Sequence, residues 1–254
     1  MVLKVKGAFT ENKTRNPYMC FLLDKYISDR NMPNKHNISY KIQEMINLEG
    51  ENIGYEVLID AEGLSIIKAD EIYNKSLMFP HSTQRLIRRL ERYINENEND
   101  FYGKTLFINL ERSHLCDKFL LCDIVILSRK SARKNVNIVI EMTERNICGS
   151  CPEVEIGINF LSKNKVLLAL DDYELDKCDF RHKELEYDFY NFIKVDFSSL
   201  FNHINKLNNL IKNYNLNLIV EHIETESERK WVLQYAPKTW AMQGYLYNTF
   251  PAKF

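Results

Sequence analysis

The sequence predicts an α/β domain built on a parallel sheet, open or closed, and two observations carry that reading. Short apolar runs recur along the chain, and they are apolar almost throughout rather than alternating, as expected of strands covered on both faces. Amphipathic stretches of helical period separate them, so strand and helix signals alternate. In order, the strand candidates are Ile53 to Ile59, Thr105 to Leu110, Val136 to Ile140, Val166 to Leu170, Phe192 to Val195 and Leu216 to Val220. A last short one lies near Met242 to Leu246. Ser82 is placed to cap a helix whose apolar face is Leu86, Leu90, Tyr93 and Ile94. Ser198 is placed to cap another that carries Leu200, Ile204, Leu207, Ile211 and Tyr214. Asn95 to Asp100 reads as a surface loop, and Tyr18 to Ile27 as a short helix packed on the domain. No strand signal precedes Asn37, and no internal repeat is present.

Composition narrows the function classes. The 254 residues hold 34 Lys+Arg against 35 Asp+Glu, and 45% of them are hydrophobic. The length suits one large domain, and near-neutral charge removes the basic footprint that nucleic-acid polymers require. No run approaches the roughly 18 apolar residues of a membrane span. The first residues, Met1 to Gly7, lack the apolar stretch of a signal peptide. Six cysteines at irregular spacing fit reduced thiols in a cytosol. The expectation is a soluble cytoplasmic domain.

The acids sit in a pattern. Glu56 lies within the first apolar run and Asn109 near the end of the second. Glu141, Asp171 with Asp172, and Glu221 each directly follow a run of their own. One carboxylate at a strand end is ordinary, because the chain meets water there. Its repetition matters, since the C-terminal strand ends of a closed parallel barrel converge on one rim, where active sites of that architecture lie. Clustered carboxylates need compensating cations, and Asp, Glu and Asn oxygens suit hard ions such as Mg²⁺ or Mn²⁺. Two such ions would clamp a phosphodiester and activate water. Lys194 sits inside an apolar run and needs an anionic partner, which an acidic rim would supply.

These residues resemble a known family. Gly54-Tyr55-Glu56-Val57-Leu58 is similar to the signature that gives EAL domains their name, with Val in place of Ala. In the family's order there follow Phe107-Ile108-Asn109-Leu110, Glu141-Met142-Thr143-Glu144, Asp171-Asp172-Tyr173, Ile193-Lys194-Val195-Asp196, Glu221-His222-Ile223-Glu224-Thr225 and Gln243-Gly244-Tyr245. The resemblance runs from about Ser39 to the C-terminus. It implies a modified (β/α)8, TIM-like barrel over residues 37–254, preceded by a short segment over residues 1–36. It also implies hydrolysis of the bacterial second messenger cyclic di-GMP to linear pGpG, with two Mg²⁺ or Mn²⁺ ions. On that basis Glu56, Asn109, Glu141 and Asp171 are metal ligands, and Asp172 is shared with the second metal or belongs to it. Lys194 and Glu221 hold or activate the attacking water, and Gln243 orients the site. Gln43, Leu58 and the position of Asp60 belong to the substrate-contacting set. The rival implication is a degenerate EAL domain that acts as a cyclic-di-GMP sensor or protein-binding regulator. The family also allows a homodimer.

Three departures bear on that choice. Asp60 stands where the family carries a phosphate-contacting Arg, replacing a favourable charge by a repulsive one. After Asp171-Asp172 the family has a glycine-containing loop, whereas Tyr173 to His182 holds no glycine. His222 replaces a glycine, so its side chain must find room beside the site or act in it. Other signals have plainer readings. Cys148, Cys151, Cys178 and His182 would make a Cys3His zinc set if their segments shared a rim, against ordinary reduced thiols. Arg85, Arg88, Arg89 and Arg92 read as the solvated face of a helix, and Trp231 and Trp240 as core or interface residues. His222 reads as a packed neighbour before a base.

Overall fold

The computed structural model describes residues 38–65, 67–69, 80–145, 151–175 and 179–252. The strands are β1 (Ser39–Ile46), β2 (Asn52–Asp60), β3 (Thr105–Leu110), β4 (Asn137–Met142), β5 (Leu167–Leu170), β6 (Phe192–Asp196), β7 (Asn217–Glu221), β8 (Thr239–Met242) and β9 (Thr249–Ala252). From β2 to β8 they pair in parallel and in sequence order. β1 closes the ring, antiparallel to both β2 and β8, and β9 adds antiparallel to β1 beyond β8. The principal helices are α1 (Pro80–Glu96), α2 (Lys118–Ala132), α3 (Pro152–Lys163), α4 (Phe197–Tyr214) and α5 (Glu226–Tyr235). The expected TIM-like α/β barrel is therefore present.

The apolar strands divide into two cores because successive side chains face opposite sides. Leu106, Ile108, Ile138, Ile140, Leu168, Leu170, Ile193, Val195, Leu218 and Val220 face outward onto the helices. Met45, Phe107, Val139, Ala169, Phe192, Ile219 and Ala241 fill the barrel's interior, with Trp240 packed against Phe107 and Phe192. Two positions further toward the rim, on the same interior faces, stand Gln43, Asn109, Glu141, Asp171, Lys194, Glu221 and Gln243. Glu56 stands likewise above Gly54, whose place tolerates no side chain: a Cβ there would lie 2.3 Å from the Thr105 carbonyl oxygen. The interior is thus an apolar plug capped by a polar layer.

Several local expectations are corrected. β1 and β9 are strands that periodicity did not nominate. The last parallel strand ends at Met242, so residues 243–246 are a turn. α1 begins at Pro80, with Ser82 already inside it and buried. α4 is capped by Asp196, whose carboxylate accepts from Ser198 N–H at 2.6 Å, so Ser198 is the capped residue. The stretch 95–100 is mostly helical, divided between the end of α1 and a short turn at Glu98–Phe101. Tyr18 to Ile27, Cys148 and Cys178 lie outside the described residues. Cys151 precedes α3 as its N-cap, and His182 Nδ1 lies 2.8 Å from the Tyr173 hydroxyl. Among the described residues no helix is long and apolar enough to cross a membrane.

Candidate active site

The polar layer opens into a cleft of about 430 Å³ at the C-terminal rim of the parallel strands. At its base the Lys194 ammonium, fully buried, meets four carboxylates contributed by four different strands or the residues just after them. It lies 3.1 Å from Glu56 Oε2, 2.9 Å from Glu141 Oε1, 3.0 Å from Asp171 Oδ1 and 2.9 Å from Glu221 Oε1. Burial alone would lower the Lys194 pKa, but Asp171, Glu141, Glu221 and Glu56 together hold it well above the ordinary lysine range. Glu56 is also gripped by neutral donors: Asn109 Nδ2 reaches Oε1 at 2.7 Å, and Gln243 Nε2 reaches Oε2 at 2.6 Å. Burial pushes Glu56 up, yet Lys194, Gln243 and Asn109 outweigh it, and its pKa falls.

Glu141 and Glu221 behave differently. Glu141 is fully buried, and burial with the neighbouring Glu56 pushes its pKa well up despite Lys194. Burial, against the pull of Lys194, pushes Glu221 up to about 8. One lysine cannot neutralise four acids. Both Glu141 oxygens and Glu221 Oε2 lack an aligned hydrogen-bond partner among the described residues, although Lys194 stands close. A second acidic group adjoins: oxygens of Glu144, Asp171 and Asp172 lie within 4.8 Å of one another. Orphaned buried carboxylate oxygens, a surplus of negative charge and an all-oxygen donor set fit hard divalent cations. Among the described residues Glu144, Asp171 and Asp172 could hold one such ion, and Glu56, Asn109 and Glu141, grouped around Lys194, are the other expected ligands.

The remaining nominated residues fall as follows. Gln243 Nε2 donates to Gln43 Oε1 at 2.8 Å, and Gln43 Nε2 donates to the Gly244 carbonyl at 3.3 Å, so Gln43 joins the layer from β1. Gly244 has φ +151°, and a Cβ there would lie 2.3 Å from Ile223 N and O; only glycine lets the chain after Gln243 lie so close. Leu58 lines the cleft, whereas Asp60 ends β2 outside it, accepting from Glu62 N–H at 3.0 Å. His222 is an exposed cleft residue with φ +56°, not a packed neighbour. Arg88 pairs with Asp123 at 3.5 Å, in keeping with a helix surface.

Three contributors escaped the sequence reading. Glu144 closes the Glu141-Met142-Thr143-Glu144 motif, and the resemblance assigns it no role. Arg145 lines the cleft in a paired contact with Glu111. Arg181, fully buried, bonds the loops that carry Asp171 and Asp172. Nothing local marks these arginines, since each acts on residues distant in sequence.

No protein-family model matches the sequence, and no curated protein does either. Solved structures match clearly. The phosphodiesterase PaMucR, in complex with c-di-GMP, is similar over 86% of this chain and 99% of its own, at 16% identity and a TM-score of 0.62. The EAL domain of DcpA from Mycobacterium smegmatis is similar over 84% and 91%, at 16% identity and 0.60. The EAL-like domain protein YdiV is similar over 85% and 93%, at 14% identity and 0.61. The fold is that of EAL domains, antiparallel first strand included in this chain's barrel. Identities this low carry the architecture and leave the chemistry to the residues present.

Proposed function

We propose that the protein hydrolyses cyclic di-GMP to linear pGpG with two divalent cations, Mg²⁺ or Mn²⁺, in the bacterial cytoplasm. The observation that supports it most is the Lys194 centre: four carboxylates at 2.9–3.1 Å from one ammonium, with buried oxygens left unsatisfied. Cations bound by Glu56, Asn109, Glu141 and Asp171, and by Asp172 with Glu144, would supply Lewis acidity and lower the pKa of water. The protein's own part is positional. Gln243 and Asn109 fix the Glu56 carboxylate, while Lys194 holds Glu221 beside the acids. Glu221, a carboxylate of raised pKa, takes a proton from the attacking water. The water oxygen forms the new bond to phosphorus, one phosphodiester P–O bond breaks, and the freed sugar oxygen takes a proton from solvent while Glu221 releases its own to solvent. Lys41, on the same β1 face as Gln43, and Arg145 line the cleft as cations for the substrate's phosphates. A homodimer is compatible with this reading.

The comparable likeness to the EAL-like protein YdiV favours one second reading, a non-catalytic sensor or regulator. A single assay separates the two. Purified protein should convert cyclic di-GMP to pGpG with Mn²⁺ or Mg²⁺, EDTA should abolish turnover, and Glu56→Gln should lower it by roughly 100-fold or more. Tight binding of cyclic di-GMP with equal, negligible turnover in wild type and variant would establish the sensor instead.

A further inference from the structure

The loop after Asp171 and Asp172 contains no glycine, yet Asp172 adopts a left-handed backbone with φ +44°. That conformation is unfavourable for a residue that carries a side chain, so something must hold it. Arg181 does. Its side chain is fully buried and all five of its N–H donors are spent. Nε donates to Asp179 Oδ1 at 3.0 Å and Nη2 to Asp179 Oδ2 at 2.7 Å. Nη1 donates to the carbonyls of Met142 at 3.0 Å and Asp171 at 2.6 Å, and Nη2 to that of Asp172 at 3.2 Å.

Those three carbonyls belong to two different rim loops. Met142 lies between Glu141 and Glu144 at the end of β4, while Asp171 and Asp172 follow β5. The guanidinium therefore ties together the two backbones from which the Glu144, Asp171 and Asp172 carboxylates converge. Asp179 balances its charge. Burial raises the Asp179 pKa, but the hydrogen bonds and charge of Arg181 outweigh this and hold it below the usual carboxylate range. Phe180, still 42% exposed, leans its ring on the Arg181 guanidinium at 5.8 Å and on that of Arg112 at 5.0 Å.

We infer that Arg181 is a positioning residue for one of the two metal sites: by gripping three main-chain carbonyls it sets the Glu144–Asp171–Asp172 group, taking the place of a glycine-built loop. The inference rests on the two-metal reading above. Arg181 reaches the Lys194 centre only through the Asp171 main chain, and touches neither Lys194 nor the Glu56, Glu141 and Glu221 carboxylates. A lysine cannot substitute, because a point charge with three donors cannot span three carbonyls and a bidentate carboxylate.

Mn²⁺ binding to the metal-stripped chain, followed by calorimetry and by electron paramagnetic resonance well below the melting temperature, tests it. Wild type should take up two ions. Arg181→Lys should bind one of them as wild type does and the other about 10–100-fold more weakly. In turnover, kcat at saturating Mn²⁺ should recover while the Mn²⁺ requirement rises. Should Arg181→Lys fail to fold, Phe180→Ala decides, because the ring is partly exposed and its removal loosens the seat of the guanidinium without deleting it. It should weaken the same ion by a few-fold, in line with a lost cation–π contact. Unchanged affinities, or equal weakening of both ions, would overturn the inference while leaving the two-metal reading in place. No Mn²⁺ uptake by wild type would sink both.

Discussion

Lys194 is surrounded by carboxylates that can change protonation, and its removal shows how much of the cluster depends on it. In Lys194→Met the four acids lose the ammonium they share. Stripping one partner from a buried ionic group leaves uncompensated charge at about 3–5 kcal/mol. Urea unfolding of the metal-free variant near neutral pH should show a loss of that order, and saturating Mn²⁺ should restore part of it. A variant as stable as wild type would mean that the acids are already protonated and the lysine is dispensable. Such residues were legible because each interrupts or ends an apolar run: a lysine between Ile193 and Val195, or an acid after three or more aliphatic residues, is costly unless partnered. Arg181 and Glu144 were not legible. They sit in polar stretches where a charge is unremarkable, and only tertiary contact gives them meaning.

At the scale of elements, composition along the strands marked the parallel series β2 to β8 but not the antiparallel β1 and β9. A run such as Tyr40 to Ile46 mixes Lys41, Gln43 and Glu44 with apolar residues because one face lines the cleft and one edge meets β9, so it lacks the continuous apolar signature of β3 or β4. β9 (Thr249–Ala252) is largely exposed and carries Pro251, which argues locally against a strand; it exists because the edge of β1 offers four paired positions from Tyr40 to Gln43. Capping was misassigned for an equally local reason: Asp196 and Ser198 both suit the role, and the carboxylate two residues earlier took it. Truncation after Asn248 therefore has a clear expected outcome. It should bare the β1 edge, lower the melting temperature by roughly 5 °C or more, and loosen Gln43 enough to raise KM more than it lowers kcat. Calorimetry and steady-state kinetics on the truncated chain would check both, and unchanged KM would separate β9 from the site.

For the molecule as a whole, the crowded rim makes stability depend on pH and on cations together. Glu221 titrates at about 8, against an ordinary value of 4.5, and Glu141 is also raised. The folded state thus keeps protons that the unfolded chain releases. This contribution is complete below the unfolded pKa and is lost as pH rises through the folded one. The metal-free melting temperature should fall between about pH 5 and pH 8. Bound Mg²⁺ or Mn²⁺ should flatten that fall, so that stabilisation by added metal grows with pH. Scanning calorimetry across this range, with and without the ion, would show it; a metal-free profile that rises with pH would contradict the charge balance described for the site.

The reversed first strand also decides where the chain enters and leaves. β1 starts at Ser39 opposite Asp60, on the rim side, and β9 climbs back along it until Ala252 faces Tyr40. Both ends of the described barrel accordingly emerge at the mouth of the cleft rather than at its floor. A fluorophore attached at Ser39 or Ala252 would stand beside the opening as a neighbour of whatever enters, so attachment for labelling belongs instead in the turn from Leu48 to Glu51, at the opposite pole.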